Sequence, residues 1–398
     1  MLIRQADTTA VLPKRLDALT SLRFFAALAV FAHHFTGLGG KTGFGRSPWI
    51  FPYSQMGAHG VTFFFVLSGF LMIWVFKPQE KAVSFWWRRV GRIFPVHLVT
   101  LPLAIYAFYI AAHADIHWGS LLSAVFLVQG WFPGITPTLP GNPVTWTLSV
   151  ELLFYALFPL IAPIVVRIRT RWLACASLAG LAAMWAINWY SVENFTPATA
   201  SWVMRHPVLY LPVFLLGMTL ALAIQRGRRV PLHPIVPIGA LALYTYGYYQ
   251  VTLRVPKGVL REQLDYTLRP TIALLAALII LSFVQREIVG RRGILNKTLL
   301  INLGLWSYSF YLIHHAVSRL STYEWGRMPD NNAVLFTLLG MALVINILSW
   351  ALFTYVEEPA ERWWRTHMPK SWRTPRDAAG DSALPPRPRE REAEPAQV

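Results

Sequence analysis

Long apolar runs alternate along the chain with short polar segments in which basic residues predominate. Runs long enough to cross a bilayer occupy approximately 19–38, 58–76, 93–112, 148–166, 172–190, 207–225, 234–252, 269–285, 299–319 and 333–355, a spanning helix needing about 20 mostly apolar residues. The pattern predicts an all-α, polytopic integral membrane protein with about ten transmembrane helices. One further apolar piece, Leu121 to Phe132, is too short to span, and Pro133, Gly134, Pro137, Pro140, Gly141 and Pro143 follow it. The stretch 119–146 is therefore expected to be re-entrant or interfacial.

Charge placement supports that assignment. If the short piece does not cross, the clusters Arg88, Arg89 and Arg92, then Arg167, Arg169 and Arg171, then Arg226, Arg228 and Arg229, and then Arg286, Arg291, Arg292 and Lys297 share one side with the N-terminus. If it crossed, the last three clusters would face outward, against the positive-inside tendency. The expected organisation is a cytoplasmic N-terminus over 1–15, a membrane domain over 16–365 and a disordered cytoplasmic tail over 366–398, rich in Pro, Arg, Glu and Ala. The first apolar run is long enough to span and lacks a small-residue cleavage site, so it is expected to stay attached.

Composition narrows the class. Of the 398 residues, 55% are hydrophobic and 14% charged, against about 25% charged in ordinary soluble domains. The net charge of +17 lies in short clusters between apolar runs, which reads as membrane orientation and not as nucleic-acid binding. Cys175 is the single cysteine, the histidines are scattered and paired acids are lacking in the spans, so no internal disulfide, metal site or permanently bound cofactor is expected. Arginine far outnumbers lysine, a bias that fits a GC-rich bacterial genome and a bacterial plasma (inner) membrane.

The first run, Leu16 to Phe35, carries Arg23 near its start and His33 and His34 near its end. Ionisable groups inside a spanning helix are expensive and are retained for function more often than by chance. Eleven residues at 100° each turn about 1100°, three turns plus about 20°, and rise about 16 Å. Arg23 and His34 therefore share a face, whereas His33 falls about 80° away. Glu151 is the one carboxylate clearly inside an apolar run, and a buried carboxylate needs a partner or becomes neutral. Ser68 and Gly69 read as a point of close helix approach.

Five stretches in this order, SLRFFAALAVFAHH, GVTFFFVLSGFLM, RRVGRIFPVH, TWTLSVELLFYALFP and SYSFYLIHH, together resemble the membrane-bound acyltransferase-3 family over about residues 16 to 365. Members of that family acylate sugar hydroxyls on surface polysaccharides, lipids and some glycosylated natural products. The resemblance implies an O-acyltransferase that takes an acetyl or other short acyl group from acyl-CoA, as co-substrate, and passes it to a carbohydrate acceptor.

Such a transfer needs a base for the hydroxyl proton, a charge partner for that base and a cationic site for donor phosphates. The family's essential histidine matches His34, which the resemblance makes general base or transient acyl carrier; imidazole accepts a proton near neutral pH. The match in TWTLSVE implies a catalytic Glu151, orienting His34 or accepting from the sugar hydroxyl, with an arginine ion pair as the structural reading. Arg23, Arg89 and Arg92 are the expected phosphate ligands, because guanidinium binds phosphate in a bidentate fashion. A coenzyme A pantetheine arm is comparable in length to the Arg23–His34 step. Snorkelling of Arg23 and an ordinary positive-inside cluster at Arg89 and Arg92 are the structural readings. His59, Trp146, Tyr311 and His314 are candidate acceptor contacts, the last two sharing a helix face. The competing function is a transporter or flippase using His34, Arg23 and Glu151 as a relay.

Overall fold

The computed structural model describes residues 12, 13, 15–37, 43–256 and 258–373. The expected tail beyond 373 and most of the N-terminal segment lie outside the described residues. Among the described residues every regular element is helical: α1 (Asp17–Thr36), α2 (Phe51–Ser54), α3 (Gly60–Trp74), α4 (Ala82–Ile105), α5 (Trp118–Val125), α6 (Trp146–Val165), α7 (Thr170–Asn194) and α8 (Pro197–Arg205) come first. They are followed by α9 (Leu211–Gln225), α10 (Ile235–Arg254), α11 (Val259–Ile288), α12 (Thr298–Leu305), α13 (Ser307–Trp325), α14 (Ala333–Leu352) and α15 (Glu358–Thr366).

Eight helical stretches among the described residues are long and apolar enough to cross a membrane, and they coincide with eight of the expected runs. The chain is a multi-pass membrane protein. The other two runs are helical but not among the eight. Over 234–252, Tyr244, Tyr246, Tyr248 and Tyr249 dilute the apolar character of α10. Over 299–319, Trp306 separates α12 from α13, and Ser307, Ser309, His314 and His315 make α13 polar. Those polar positions belong to the site described below.

α1 is held at both ends by other parts of the bundle. Its first amides have no side-chain cap of their own; Glu287 at the end of α11 accepts from Asp17 N at 2.7 Å and Ala18 N at 3.3 Å, placing a carboxylate where the helix dipole favours one. Ser21 Oγ donates to Leu295 O at 2.6 Å. At the far end His33 bonds the Gln55 carbonyl at 2.9 Å. α3 runs back antiparallel to α1, so that Trp74 Nε1 donates to Pro13 O. α3 also packs on α9 through glycines: a Cβ on Gly69 would lie 2.1 Å from Phe214 O, and one on Gly217 2.0 Å from Val66 O. The Gly69 expectation therefore holds, since only a missing side chain lets these backbones meet.

The segment 119–146 does not cross the bundle. It forms α5 and three single turns, Gln129–Trp131, Thr136–Thr138 and Pro143–Thr145. Its polar groups are tied to α6, to α13 and to one another: Gly130 N bonds Ser149 Oγ of α6 at 3.3 Å, Asn142 Nδ2 bonds Leu312 O of α13 at 2.7 Å, and Gln129 Nε2 bonds Thr145 Oγ1 within the segment at 3.2 Å. Irregular backbone at membrane depth is tolerated where protein buries it in this way.

Gly69→Leu is expected to destabilise the α3–α9 contact by about 1–3 kcal/mol, as overpacking against an unyielding backbone does, whereas Gly239→Ala, which meets nothing within 4 Å, is neutral. Thermal unfolding of the detergent-solubilised variants checks this, and equal melting temperatures would contradict it.

Candidate active site

α1, α3, α4, α6 and α13 enclose a cavity of about 120 Å³. Along α3 it reaches from Met72 to Val61, about 16 Å of helix. The end nearest the start of α1 holds Arg23, Arg89, Arg92, Tyr155 and Tyr308; Glu151 lies partway along; Val61, Phe64, Thr147 and Tyr311 form the far end. Arg89 and Arg92 are three residues apart near the start of α4 and so share a face. The three expected phosphate ligands thus come together from two helices that the fold makes neighbours.

Among the described residues no ion pair engages Arg23, Arg89 or Arg92. Arg89 lies over the rings of Phe85 and Tyr155 at 5.1 and 5.0 Å, contacts that orient a guanidinium without neutralising it. Opposing charge is contributed at longer range by Glu151 and Glu357, and by Glu361 toward Arg92. A buried cation left without a bonded anion is costly. The cavity thus gathers three guanidinium groups, a group type that binds phosphate in a bidentate fashion.

Glu357 is absent from the residues expected from sequence, where it reads as a helix margin. It is 5% exposed and accepts from Ser309 Oγ at 2.6 Å. The wide turn Phe353–Glu357 between α14 and α15 swings it inward, the kind of π turn found often at functional sites. The signal in the sequence is the acid pair Glu357–Glu358 placed directly before Pro359. α15 then packs on α4, with Trp87 Nε1 donating to Trp364 O at 2.6 Å.

His34 sits beyond the far end of this cavity, in a cluster of imidazoles. Its Nδ1 is 2.9 Å from His314 Nε2, and its ring stacks on His315 at 4.2 Å with the planes 11° apart. His314 is fully buried, and its Nδ1 bonds the Tyr311 carbonyl at 2.7 Å. His33 points elsewhere, to Gln55, in line with its offset on the helical wheel. His315 was not anticipated; its place directly after His314 is the available signal, since neighbouring residues on a helix diverge by 100° and each can meet a different partner.

The expected pairing of Glu151 with His34 is not formed. Glu151 accepts from the Tyr155 hydroxyl one turn along α6. Tyr311 stands between the two sites: its hydroxyl meets Thr147 Oγ1 at 3.0 Å, one turn before Glu151, while its carbonyl holds His314. Two other expected contacts fall outside the cavity. Trp146 packs on Tyr210, with ring centroids 5.8 Å apart and Arg205 6.0 Å from its ring. His59 faces a second cavity of about 710 Å³ between α1, α3, α10 and α11, together with Phe63, Leu241 and Ile272. Among the described residues no group of three His, Cys, Asp or Glu is placed to hold a metal ion.

The bundle is thus that of an integral membrane protein with an arginine-lined cavity on one side of a histidine pair. The family model described as an acyltransferase domain matches residues 16–354, and the chain belongs to the acyltransferase-3 family, making it a membrane-bound O-acyltransferase. It is 32% identical over 374 residues to the acyltransferase MdmB of Streptomyces mycarofaciens, covering 87% of this chain and 92% of that protein. It is 29% identical over 200 residues to nodulation protein 10 of Rhizobium leguminosarum bv. viciae, covering 44% and 50%. It is also 28% identical over 172 residues to the peptidoglycan O-acetyltransferase OatA of Listeria monocytogenes, covering 38% and 25%. No solved structure matches the chain significantly.

Glu357→Gln keeps an acceptor for Ser309 and removes the charge facing Arg23 and Arg92. Acyl transfer is expected to fall by about tenfold or more, equivalent to at least about 1.4 kcal/mol, with the size-exclusion profile unchanged. Glu358→Gln, whose carboxylate pairs with Arg362 on the surface of α15, is the control, and an equal loss in both variants would contradict the assignment.

Proposed function

We propose that the protein transfers an acetyl or other short acyl group from acyl-CoA to a sugar hydroxyl of a polysaccharide, a glycolipid or a glycosylated natural product such as a macrolide. It does so in a bacterial plasma membrane, with both termini cytoplasmic. The observation that carries this reading is the single cavity with three guanidinium groups, unpaired among the described residues, at one end and a far wall, Tyr311, one helical turn from His314 and its partner His34. Its length along α3 and the Arg23–His34 step are both about 16 Å, the scale of a pantetheine arm.

In this reading Arg23, Arg89 and Arg92 hold donor phosphates at the cytoplasmic end, where the basic clusters lie, and the thioester extends toward His34. His34 takes the proton of the acceptor hydroxyl as the oxygen attacks the thioester carbonyl. The departing thiolate then recovers that proton from His34, leaving ester and free coenzyme A. Glu151, bonded to Tyr155, balances the arginines rather than orienting the base. The resemblance to the acyltransferase MdmB along nearly its whole length supports acyl transfer, and the partial match to the peptidoglycan O-acetyltransferase OatA supports a carbohydrate acceptor. Family membership favours acyl transfer over the transport relay.

The test is thiol release from acetyl-CoA by the purified protein supplied with glycosylated acceptors. Wild type is expected to release thiol in an acceptor-dependent manner and His34→Ala to release none. Arg92→Ala is expected to raise KM for acetyl-CoA about tenfold or more, one charge-assisted hydrogen bond being worth about 1.5–3 kcal/mol. Release that survives His34→Ala would remove His34 from the chemistry, and an unchanged KM in Arg92→Ala would remove the phosphate site.

A further inference from the structure

The hydrogen bonds around His34 fix more than its position. A carbonyl oxygen only accepts, so the 2.7 Å contact between His314 Nδ1 and Tyr311 O requires the proton of His314 to sit on Nδ1. A neutral imidazole carries a single N–H, which leaves Nε2 of His314 as a lone-pair acceptor. The 2.9 Å contact from His34 Nδ1 to that nitrogen is then donated by His34. With its own proton on Nδ1, His34 keeps its free lone pair on Nε2. Among the described residues the bond to His314 is the only hydrogen bond of the His34 ring.

We propose that His314 is a positioning residue: by accepting the Nδ1 proton of His34 it fixes the tautomer in which His34 Nε2 is the base. The proposal rests on the acyl-transfer reading for what that base does, but the tautomer itself does not depend on it. The arrangement parallels the way a carboxylate holds the catalytic histidine of hydrolytic triads, with a neutral ring in the carboxylate's place. The bonds balance through the cycle. The acceptor O–H breaks as its proton joins His34 Nε2, the Nδ1–H bond to His314 persists and tightens as His34 becomes an imidazolium, and the thiolate removes the Nε2 proton at the end. No proton has to leave His314.

The surroundings hold the relay still. His314 is buried with no exposed surface. The turn of α13 that supplies the Tyr311 carbonyl is pinned from outside by Asn142 Nδ2 on Leu312 O at 2.7 Å and by the Tyr311 hydroxyl on Val144 O at 3.1 Å. His315, stacked on His34 at 4.2 Å, fixes the ring plane. The groups that face the pair are therefore His33 on α1, Tyr311 and His315 on α13; among the described residues no carboxylate is bonded to either ring.

Two measurements on the full chain in detergent test this. With ¹⁵N-histidine labelling and no substrate, His34, assigned by loss of its signals in His34→Gln, is expected to show a protonated Nδ1 and a bare Nε2. A protonated Nε2 in wild type would overturn the proposal whatever the activity. In the thiol-release assay His314→Leu, which removes the acceptor, is expected to lower kcat about a hundredfold or more, the scale of general-base catalysis, with KM for acetyl-CoA within about twofold. His314→Gln offers an amide oxygen to His34 and is expected to recover most of that loss. Equal loss in both variants, or a rise in KM alone, would overturn the positioning role. The expected tautomer without thiol release from any acyl donor would instead remove the acyl-transfer reading.

Discussion

Everything at the centre of this protein depends on three arginine side chains that lie inside an apolar bundle without an ion-pair partner among the described residues. They are partly buried along the cavity, and the nearby carboxylates, Glu151 and Glu357, are not bonded to them. Such a charge arrangement is stable to the extent that the bundle around it is rigid. The capping of α1 by Glu287, the glycine contact between α3 and α9, and the clamp of α15 on α4 each add to that rigidity. An anion in the cavity would offset part of that positive charge, which is the ground for proposing a phosphate-bearing donor.

The second organising feature is that α1, α4 and α13 run in the same direction while α3 and α6 return between them. The parallel runs place Arg23 and Arg92 at one level and His34 and His314 about 16 Å further on. α13 connects the two levels, since Tyr311 closes the cavity with its side chain and holds His314 with its carbonyl. The arginine group and the histidine pair are thereby kept at separate heights of one bundle. In the proposed reaction a flexible donor arm bridges those heights, so that the two act on one molecule.

The apolar runs made most of this legible from sequence. A 20-residue run states its own element, and the eleven-residue step between Arg23 and His34 states a shared face without any knowledge of neighbours. What was not legible concerns contacts between helices distant in sequence. Nothing in the spacing says that His34 meets His314 rather than Glu151, because the heights of α6 and α13 relative to α1 are set by packing and by the loop 119–146. Glu357 was hidden for a similar reason: a single wide turn redirects it inward, and wide turns leave no periodic trace. His59 and Trp146 lie at helix ends, where a shift of one residue moves a side chain to another face, and both turned away from the cavity. α10 and α13 fell below the usual apolar mark because tyrosines and site residues replace lipid-like ones.

The central claim is that one molecule reaches from the arginine end of the cavity, past Tyr311 at its far end, to His34. The most direct measurement is an experimental structure of the protein with a thioether analogue of acetyl-CoA, which cannot transfer its acyl group. Phosphate density is expected in contact with Arg23, Arg89 or Arg92, with the thioether sulfur beside His34. Phosphates seated elsewhere, for example among Arg286 and Arg291 at the mouth of the second cavity, would contradict it.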